Sequence, residues 1–181
     1  KIYNETDIAK PINVYGRSKL DGEKRVIEAC PSSLVIRASF FGWGPSHRMS
    51  FSDKIFRVDD EQRKIQLSSN VFFSPVYVVD LINSVHELLN AGAAGIYNIA
   101  SEPISKFDFA RVLLCEFGKD SGNLHDVRYA EASTKVVRPR QLSLSCHKAK
   151  SALPCFDLTV LEGIKKMKVD TQRAQQMQKL G

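Results

Sequence analysis

The sequence predicts an α/β fold with parallel strands. Short apolar segments alternate with longer segments that carry helix-capping signals. No internal repeat and no low-complexity linker interrupts this alternation. A chain of 181 residues is long enough for one hydrophobic core. We therefore expect one domain, in which helices connect parallel neighbouring strands.

The first predicted element is a helix over residues 14–29. Pro11 cannot lie inside a helix, and Asn13 is a good N-cap residue. The residues that follow are mostly good helix formers, and Pro31 marks the stop. This helix begins and ends on local signals alone.

The remaining elements follow in order. Residues 34–37 are apolar on both faces and predict a buried strand. Gly92 predicts a helix C-terminus, and Ser105 with Asp108 three residues later predicts a helix N-terminus. The other expected elements are a helix over 50–62, a strand over 64–69, an extended segment that becomes a helix from about 79 to 92, a strand over 95–101, a helix over 105–117, a loop with a short strand over 123–137, and short helices over 147–153 and 159–167.

Composition and charge limit the classes of partner. No run of eighteen apolar residues is present, so we expect no membrane span, and the polar first residues do not predict a signal peptide. The net charge is +6, and a basic tail over residues 169–181 follows the predicted domain at 1–168. Because no aromatic motif accompanies the basic residues, we do not expect nucleic acid as a partner. The four cysteines form no CxxC pair, which predicts no metal site and a reducing cytoplasm.

Tyr15 and Lys19 are the first candidates for chemistry. They lie four residues apart in the first predicted helix, and that spacing places both on one helix face. A tyrosine with its usual pKa of about 10 is a poor acid or base at neutral pH, and a nearby ammonium lowers that pKa. A shift of about three units needs about 4 kcal/mol, which a solvated lysine alone does not supply. By itself the pair fits a solvated helix face as well as a proton-transfer site.

Five segments in order carry a resemblance to a known family. Residues 3–26 read Tyr-x-Glu-x-Asp and then Pro-x-Asn-x-Tyr-Gly-x-Ser-Lys-x-x-Gly-Glu. The others are VIRASFFG at 35–42, FFSPVYVVDL at 72–81, GIYNIASEPISKFDFA at 95–110 and RPRQLSLS at 138–145. The chain thereby resembles the RmlD-like dTDP-4-dehydrorhamnose reductases of the extended short-chain dehydrogenase/reductase superfamily. The resemblance implies the C-terminal part of a Rossmann-like, doubly wound parallel sheet with a small substrate-binding subdomain.

The resemblance also implies roles for particular residues. Tyr15 matches the general acid of the family, and Lys19 matches the lysine that binds the nicotinamide ribose and lowers the tyrosine pKa. Ala38, Ser39 and Phe40 match the strand end that flanks the cofactor, with Phe40 also beside the substrate. Arg138 matches a segment near the nucleotide sugar, where its guanidinium suits a diphosphate. A solvated loop or a structural ion pair is the alternative for Arg138.

Two departures from the family pattern matter. Phe40 stands where these reductases usually carry Trp, and Trp43 is the one Trp of the chain. The Gly-rich phosphate loop of the cofactor half is missing: Gly42 and Gly44 follow a strand, but His47 stands where a third Gly would fall. We therefore expect the cofactor half to precede residue 1, and residues 1–181 alone to be inactive.

The function implied for the whole enzyme is reduction of the 4-keto group of dTDP-4-dehydro-6-deoxy-L-mannose to dTDP-L-rhamnose, with NADPH or NADH as cofactor. One alternative is a non-catalytic regulatory subunit similar to the methionine adenosyltransferase β subunit. Another is a different nucleotide-sugar reductase or epimerase. The resemblance implies a cytoplasmic protein with a nucleotide-sugar substrate, and it leaves a homodimer open.

Overall fold

The computed structural model describes residues 1–45, 47–60, 64–129, 137–153 and 156–180. Helices and strands alternate along these ranges, as predicted. The helices are α1 (Val14–Ala29), α2 (Phe51–Asp60), α3 (Val78–Asn90), α4 (Lys106–Glu116), α5 (His147–Ala152) and α6 (Val160–Leu180). The strands are β1 (Leu34–Phe41), β2 (Ile65–Leu67), β3 (Phe72–Phe73), β4 (Pro75–Tyr77), β5 (Gly95–Ile99), β6 (Ile104–Ser105), β7 (Leu124–Asp126) and β8 (Gln141–Leu142).

The strands of the described ranges form three small sheets. The central sheet has the order β4-β1-β5, and both of its pairings are parallel. β2 pairs with β7 in parallel, and β3 pairs in parallel with β8 but antiparallel with β6. The predicted α/β class with parallel strands is confirmed. The antiparallel contact and the two-residue strands β3, β6 and β8 were not predicted, because two residues show no periodicity.

The predicted capping signals are confirmed. The Asn13 side-chain oxygen accepts a hydrogen bond from the backbone N–H of Gly16 at 2.8 Å, at the start of α1. The Ser105 hydroxyl accepts one from the backbone N–H of Asp108 at 2.9 Å, at the start of α4. Gly92 follows α3 with φ +68°, a left-handed conformation that glycine adopts at little cost. Local chemistry therefore sets these helix ends.

β1 differs from its prediction in length and burial. It continues past residue 37 to Phe41, and along Leu34–Ser39 it is half-buried rather than buried. Along Leu34–Ala38 it pairs with β5, and no other strand of the described ranges pairs with that stretch. α1 lies beside β1 but contains no buried residue, so it covers the strand incompletely. The two-faced apolar pattern of β1 is thus only partly covered.

The C-terminal helix is longer than the helix predicted over 159–167. α6 runs without interruption from Val160 to Leu180 and so includes most of the predicted basic tail. Its first turns pack into the larger of two hydrophobic clusters, where Ile164 and Met167 are fully buried. Phe109 lies at the centre of the same cluster, with its ring centroid 5.1 Å from that of Phe41 and 5.4 Å from that of Phe73. The smaller cluster lies on the other side of the central sheet elements and contains Val76, Leu88, Ile99, Ala149 and Leu153.

Candidate functional site

Tyr15 and Lys19 lie together on the first two turns of α1. The Lys19 Nζ atom is 5.4 Å from the centroid of the Tyr15 ring, so the predicted shared helix face is present. The Tyr15 side chain is 72% exposed and is available to a ligand. A phenol beside an ammonium can deliver a proton and hold an oxygen-rich ligand. The catalytic role of the pair stays a prediction.

An ion pair attaches α1 to β1. The guanidinium of Arg37 donates two hydrogen bonds to the carboxylate of Glu23, from Nε at 2.8 Å and from Nη2 at 2.5 Å. The hydrogen bonding of Arg37 to the Glu23 carboxylate is the main cause that raises the pKa of Arg37 above its ordinary value. No side chain of α1 is fully buried, so this two-point contact contributes directly to holding α1 against β1.

Ala38, Ser39 and Phe40 lie near the C-terminal end of β1, as predicted. Ala38 is paired with Ile99 of β5, and Ser39 and Phe40 are paired with β4. The Phe40 side chain is 63% exposed, whereas its neighbour Phe41 is 2% exposed. Side chains alternate along a strand, so Phe41 takes the core position and Phe40 points out of the core. Contact of these residues with a cofactor or substrate stays a prediction.

Trp43 has a packing role. Its indole N–H donates a hydrogen bond to the Thr171 hydroxyl at 2.7 Å, and its ring centroid lies 4.9 Å from that of Phe56 and 6.1 Å from that of Phe117. These contacts connect the loop after β1 to α6, α2 and the end of α4. Trp43 thus helps to hold these elements together.

Two backbone amides of the turn after β1 are already bound within the chain. The backbone N–H groups of Gly44 and Ser50 both donate to the Asp53 carboxylate, at 2.9 and 2.6 Å. The Ser50 hydroxyl donates to the Gly42 carbonyl at 2.7 Å. A phosphate loop requires N–H groups that point at the ligand. The amides of Gly44 and Ser50 are therefore not available to a phosphate.

The segment that contains Arg138 is held against the start of α1. The side-chain amide of Asn13 donates a hydrogen bond to the Val137 carbonyl at 3.0 Å. The backbone N–H of Arg138 donates to the Tyr129 hydroxyl at 2.9 Å, and the Tyr129 backbone N–H donates to the Asn70 side-chain oxygen at 3.0 Å. The Arg138 guanidinium has no hydrogen-bond or ion-pair partner in the described ranges. No structural ion pair accounts for it there, and its substrate-binding role stays a prediction.

Lys106 is a candidate that the sequence reading missed. It is the first residue of α4, and its Nζ atom lies 3.5 Å from the ring centroid of Phe73 and 4.7 Å from that of Phe51. Burial, followed by the charge of Arg138, lowers the pKa of Lys106 to about 8. The sequence contains one indication of this position. A lysine directly after the N-cap Ser105 interacts unfavourably with the helix dipole, which suggests that another contact accounts for it.

Two kinds of site find no support in the described part of the chain. No group of three or more His, Cys, Asp or Glu side chains there is arranged to hold a metal ion. None of the helices described combines the length and the apolar character that crossing a bilayer requires.

Comparison with known proteins identifies the family. Residues 1–169 match the family described as the RmlD substrate binding domain. The dTDP-4-dehydrorhamnose reductase of Mycobacterium tuberculosis is 30% identical over 145 residues, which are 79% of this chain and 47% of that protein. Methionine adenosyltransferase 2 subunit beta of Danio rerio is 26% identical over 152 residues, which are 80% of this chain and 47% of that protein.

A solved structure shows the same fold. The dTDP-4-dehydrorhamnose reductase of Bacillus anthracis, in complex with NADP, superposes with a TM-score of 0.83 at 23% identity, over 93% of this chain and 59% of that one. The chain thus spans about half the length of the curated relatives it matches. The match over residues 1–169 covers the Tyr15 helix, the strand end at Phe40 and the Arg138 segment. This chain belongs to the RmlD substrate-binding-domain family.

Proposed function

We propose that the whole protein reduces the 4-keto group of dTDP-4-dehydro-6-deoxy-L-mannose to the alcohol of dTDP-L-rhamnose, with NADPH or NADH as reductant. The observation that carries the proposal is the exposed Tyr15–Lys19 pair at the start of α1, in a chain of this family. The relatives named dTDP-4-dehydrorhamnose reductase support the choice of substrate.

The chemistry assigns one task to each residue. The bound nicotinamide supplies a hydride to the carbonyl carbon. Tyr15 donates its phenolic proton to the carbonyl oxygen, so that hydride and proton together convert the ketone to an alcohol and Tyr15 is left as a phenolate until water reprotonates it. Lys19 binds the ribose hydroxyls of the cofactor beside the Tyr15 ring.

The residues of this chain fit one end of the cofactor. An exposed phenol and an ammonium 5.4 Å from its ring suit the nicotinamide ribose. Phe40, exposed at the end of β1, lies where an apolar side chain can contact a sugar ring or the nicotinamide. The turn amides of Gly44 and Ser50 are already bound to Asp53, so these two amides are not available to the pyrophosphate.

Substitution of Tyr15 tests the proposal. Tyr15→Phe removes the transferable proton and leaves the ring in place, so we expect kcat to fall by about 10² to 10⁴ with the cofactor Kd nearly unchanged. Lys19→Met should weaken cofactor binding as well as kcat. The measurements are NADPH oxidation with the dTDP-4-keto sugar and a separate titration of NADPH.

Tyr97→Phe is the matched control. Tyr97 also has a lysine beside it, with Lys148 Nζ 3.9 Å from its ring centroid, but it lies on β5 away from the start of α1. We expect Tyr97→Phe to retain the kcat of the unsubstituted protein. Near-normal turnover by Tyr15→Phe would refute the catalytic assignment.

A second candidate is supported by one relative. Methionine adenosyltransferase 2 subunit beta is named as a subunit of another enzyme, and it matches 80% of this chain. A protein of this kind would bind a catalytic partner and have no turnover of its own on a keto sugar. Co-purification with a methionine adenosyltransferase, together with no oxidation of NADPH, would favour this candidate over the reductase.

A further inference from the structure

Two contacts are made by the part of α6 that follows the family match. The match ends at residue 169, and α6 continues to Leu180. Asp170 and Thr171, the first two residues after the match, are half-buried, whereas residues 172–179 are exposed. Each of these two side chains forms a hydrogen bond with a residue at or just after the carboxyl end of a strand of the central sheet. This turn of α6 therefore has partners in the body of the protein.

Thr171 binds the turn after β1. Its hydroxyl accepts a hydrogen bond from the Trp43 indole N–H at 2.7 Å and donates its own proton to the Met167 carbonyl at 2.7 Å. The bond within the helix orients the hydroxyl and leaves its lone pairs to accept from Trp43. Trp43 also packs against Phe56, with the ring centroids 4.9 Å apart. Because the indole is held by its N–H and by its ring, the chain three residues after Phe40 is fixed in place.

Asp170 binds the end of β4. Its carboxylate accepts a hydrogen bond from the Tyr77 hydroxyl at 3.0 Å. Tyr77 is buried, and it is paired with Phe41 of β1. Burial, followed by the hydrogen bond to Asp170, raises the pKa of Tyr77 to about 12, so the phenol remains a donor at neutral pH. The end of β4, and through it the end of β1, is thereby attached to α6.

The backbone of α6 also approaches both strand ends closely. A Cβ atom at Gly163 would lie 3.0 Å from the Phe41 ring and 3.1 Å from the Tyr77 Cβ atom, so glycine is what lets the helix and the strands meet. The buried Phe41 side chain is thus held from the side of α6. Phe40 precedes it and points to the other side of the strand, where it is exposed. A shift of Phe41 relative to α6 would therefore shift Phe40 as well.

We propose that Asp170 and Thr171 are positioning residues for the end of β1. They fix Tyr77 and Trp43, and the strand end held in this way presents Phe40 to the sugar of the substrate in one place. This inference rests on the proposed function for the identity of the ligand. Asp170 and Thr171 act through their partners and do not touch the ligand themselves. Such precision matters because a displacement of about 1 Å in a site can lower a rate about a hundredfold.

Removal of single hydroxyl groups from the whole protein tests this assignment. Thr171→Val keeps the shape of the side chain and removes the acceptor for the Trp43 N–H, and Tyr77→Phe removes the donor to Asp170. We expect each substitution to raise KM for the dTDP-4-keto sugar about fivefold, the factor that corresponds to one net hydrogen bond, with kcat and the NADPH Kd within about twofold. Thr171→Ser keeps the hydroxyl and should retain the KM of the unsubstituted protein.

Thr159→Val is the matched control. The Thr159 hydroxyl accepts a hydrogen bond from the Glu162 backbone N–H at 3.2 Å, at the start of α6, so this variant also loses one hydrogen bond of a threonine. Its distance from Thr171 along the helix is about 18 Å. We expect Thr159→Val to lower Tm as Thr171→Val does and to leave KM within about twofold.

The outcomes separate this inference from the reductase proposal. An unchanged KM in both Thr171→Val and Tyr77→Phe overturns the inference, even when the unsubstituted protein reduces the keto sugar. An equal rise of KM in Thr159→Val also overturns it, because a loss of stability alone then explains the effect. A raised KM in Thr171→Ser overturns it as well, since the hydroxyl is then not what matters.

A binding measurement covers the case in which the unsubstituted protein shows no turnover. The reductase proposal then fails, and the same variants are titrated calorimetrically with dTDP-L-rhamnose. A Kd about fivefold higher in Thr171→Val and Tyr77→Phe supports the positioning role. An unchanged Kd, or no binding by the unsubstituted protein, overturns it.

Discussion

Removal of the Glu23 carboxylate should release α1 from β1. In Glu23→Gln one of the two acceptor oxygens at 2.8 and 2.5 Å is replaced by an amide NH2 and the negative charge is lost, so the side chain of Arg37, only 24% exposed, keeps at most a neutral acceptor. Charged hydrogen bonds contribute about 1.5–3 kcal/mol each in mutational series. Because the Arg37 side chain is partly exposed, we expect a loss in the lower half of this range, at about 2 kcal/mol. No side chain of α1 is fully buried, and only Leu20 and Ile27 are half-buried among its apolar residues, so α1 has little packing that could replace the contact.

The loss should appear locally, in hydrogen exchange. A change of about 2 kcal/mol raises the opening equilibrium of the α1 amides by a factor of about 30. Amides of α4, whose Phe109 and Leu113 are fully buried, should keep their protection. Glu162→Gln is the control, because its ion pair with Lys165 is exposed and should change exchange little. Protection of α1 within twofold of the unsubstituted protein would show that other contacts hold the helix, and our account of α1 would be wrong.

Two further substitutions test individual side chains. Lys106→Met should raise the free energy of unfolding by about 1–3 kcal/mol below pH 8. The pKa of Lys106 falls from 10.5 to about 8 on folding, because burial of the charged ammonium is unfavourable, and the contacts with the aromatic rings offset part of this unfavourable free energy. Between pH 8 and pH 10.5 the folded state of the unsubstituted protein binds fewer protons than its unfolded state, so its stability rises with pH. The stability gained by Lys106→Met should therefore shrink as pH rises from about 8 and vanish above about 10.5. Urea unfolding of both proteins at pH 7 and pH 10 measures it, and an equal difference at both pH values contradicts the titration. Phe40→Trp should tighten binding of a dTDP-deoxysugar, since the exposed ring at the end of β1 gains apolar surface and an N–H donor; calorimetric titration with no change in Kd would remove Phe40 from the substrate site.

The sequence was informative wherever a signal is local. Asn13, Gly92 and Ser105 act on backbone groups within three residues, so their roles could be read directly and are confirmed. The shared face of Tyr15 and Lys19 follows from helix geometry in the same way. These features depend on neither the sheet nor the core.

Features that depend on distant partners were missed. Trp43 is fixed by a hydroxyl 128 residues away, and no pattern near Trp43 points to Thr171. The strand β8 exists because Gln141 and Leu142 pair with β3, far back in the chain. The charge of Lys106 is notable only because Phe73 and Arg138 lie beside it. Burial of β1 was overestimated for a related reason, since apolar residues show what a strand can bury but not what covers it.

The N-cap contacts of α1 limit which residues can replace Asn13 during evolution. Asn, Asp, Ser and Thr all cap helices well, so the cap alone would allow exchange among them. Asn13 uses both halves of its amide: the oxygen accepts from Gly16, and the nitrogen donates to the Val137 carbonyl. A carboxylate has no donor to offer, and a single hydroxyl is too short to serve both partners. Of the good N-cap residues only asparagine keeps both bonds. Replacement of Asn13 by another of them would remove the hydrogen bond between the start of α1 and the Arg138 segment and leave the helix itself intact.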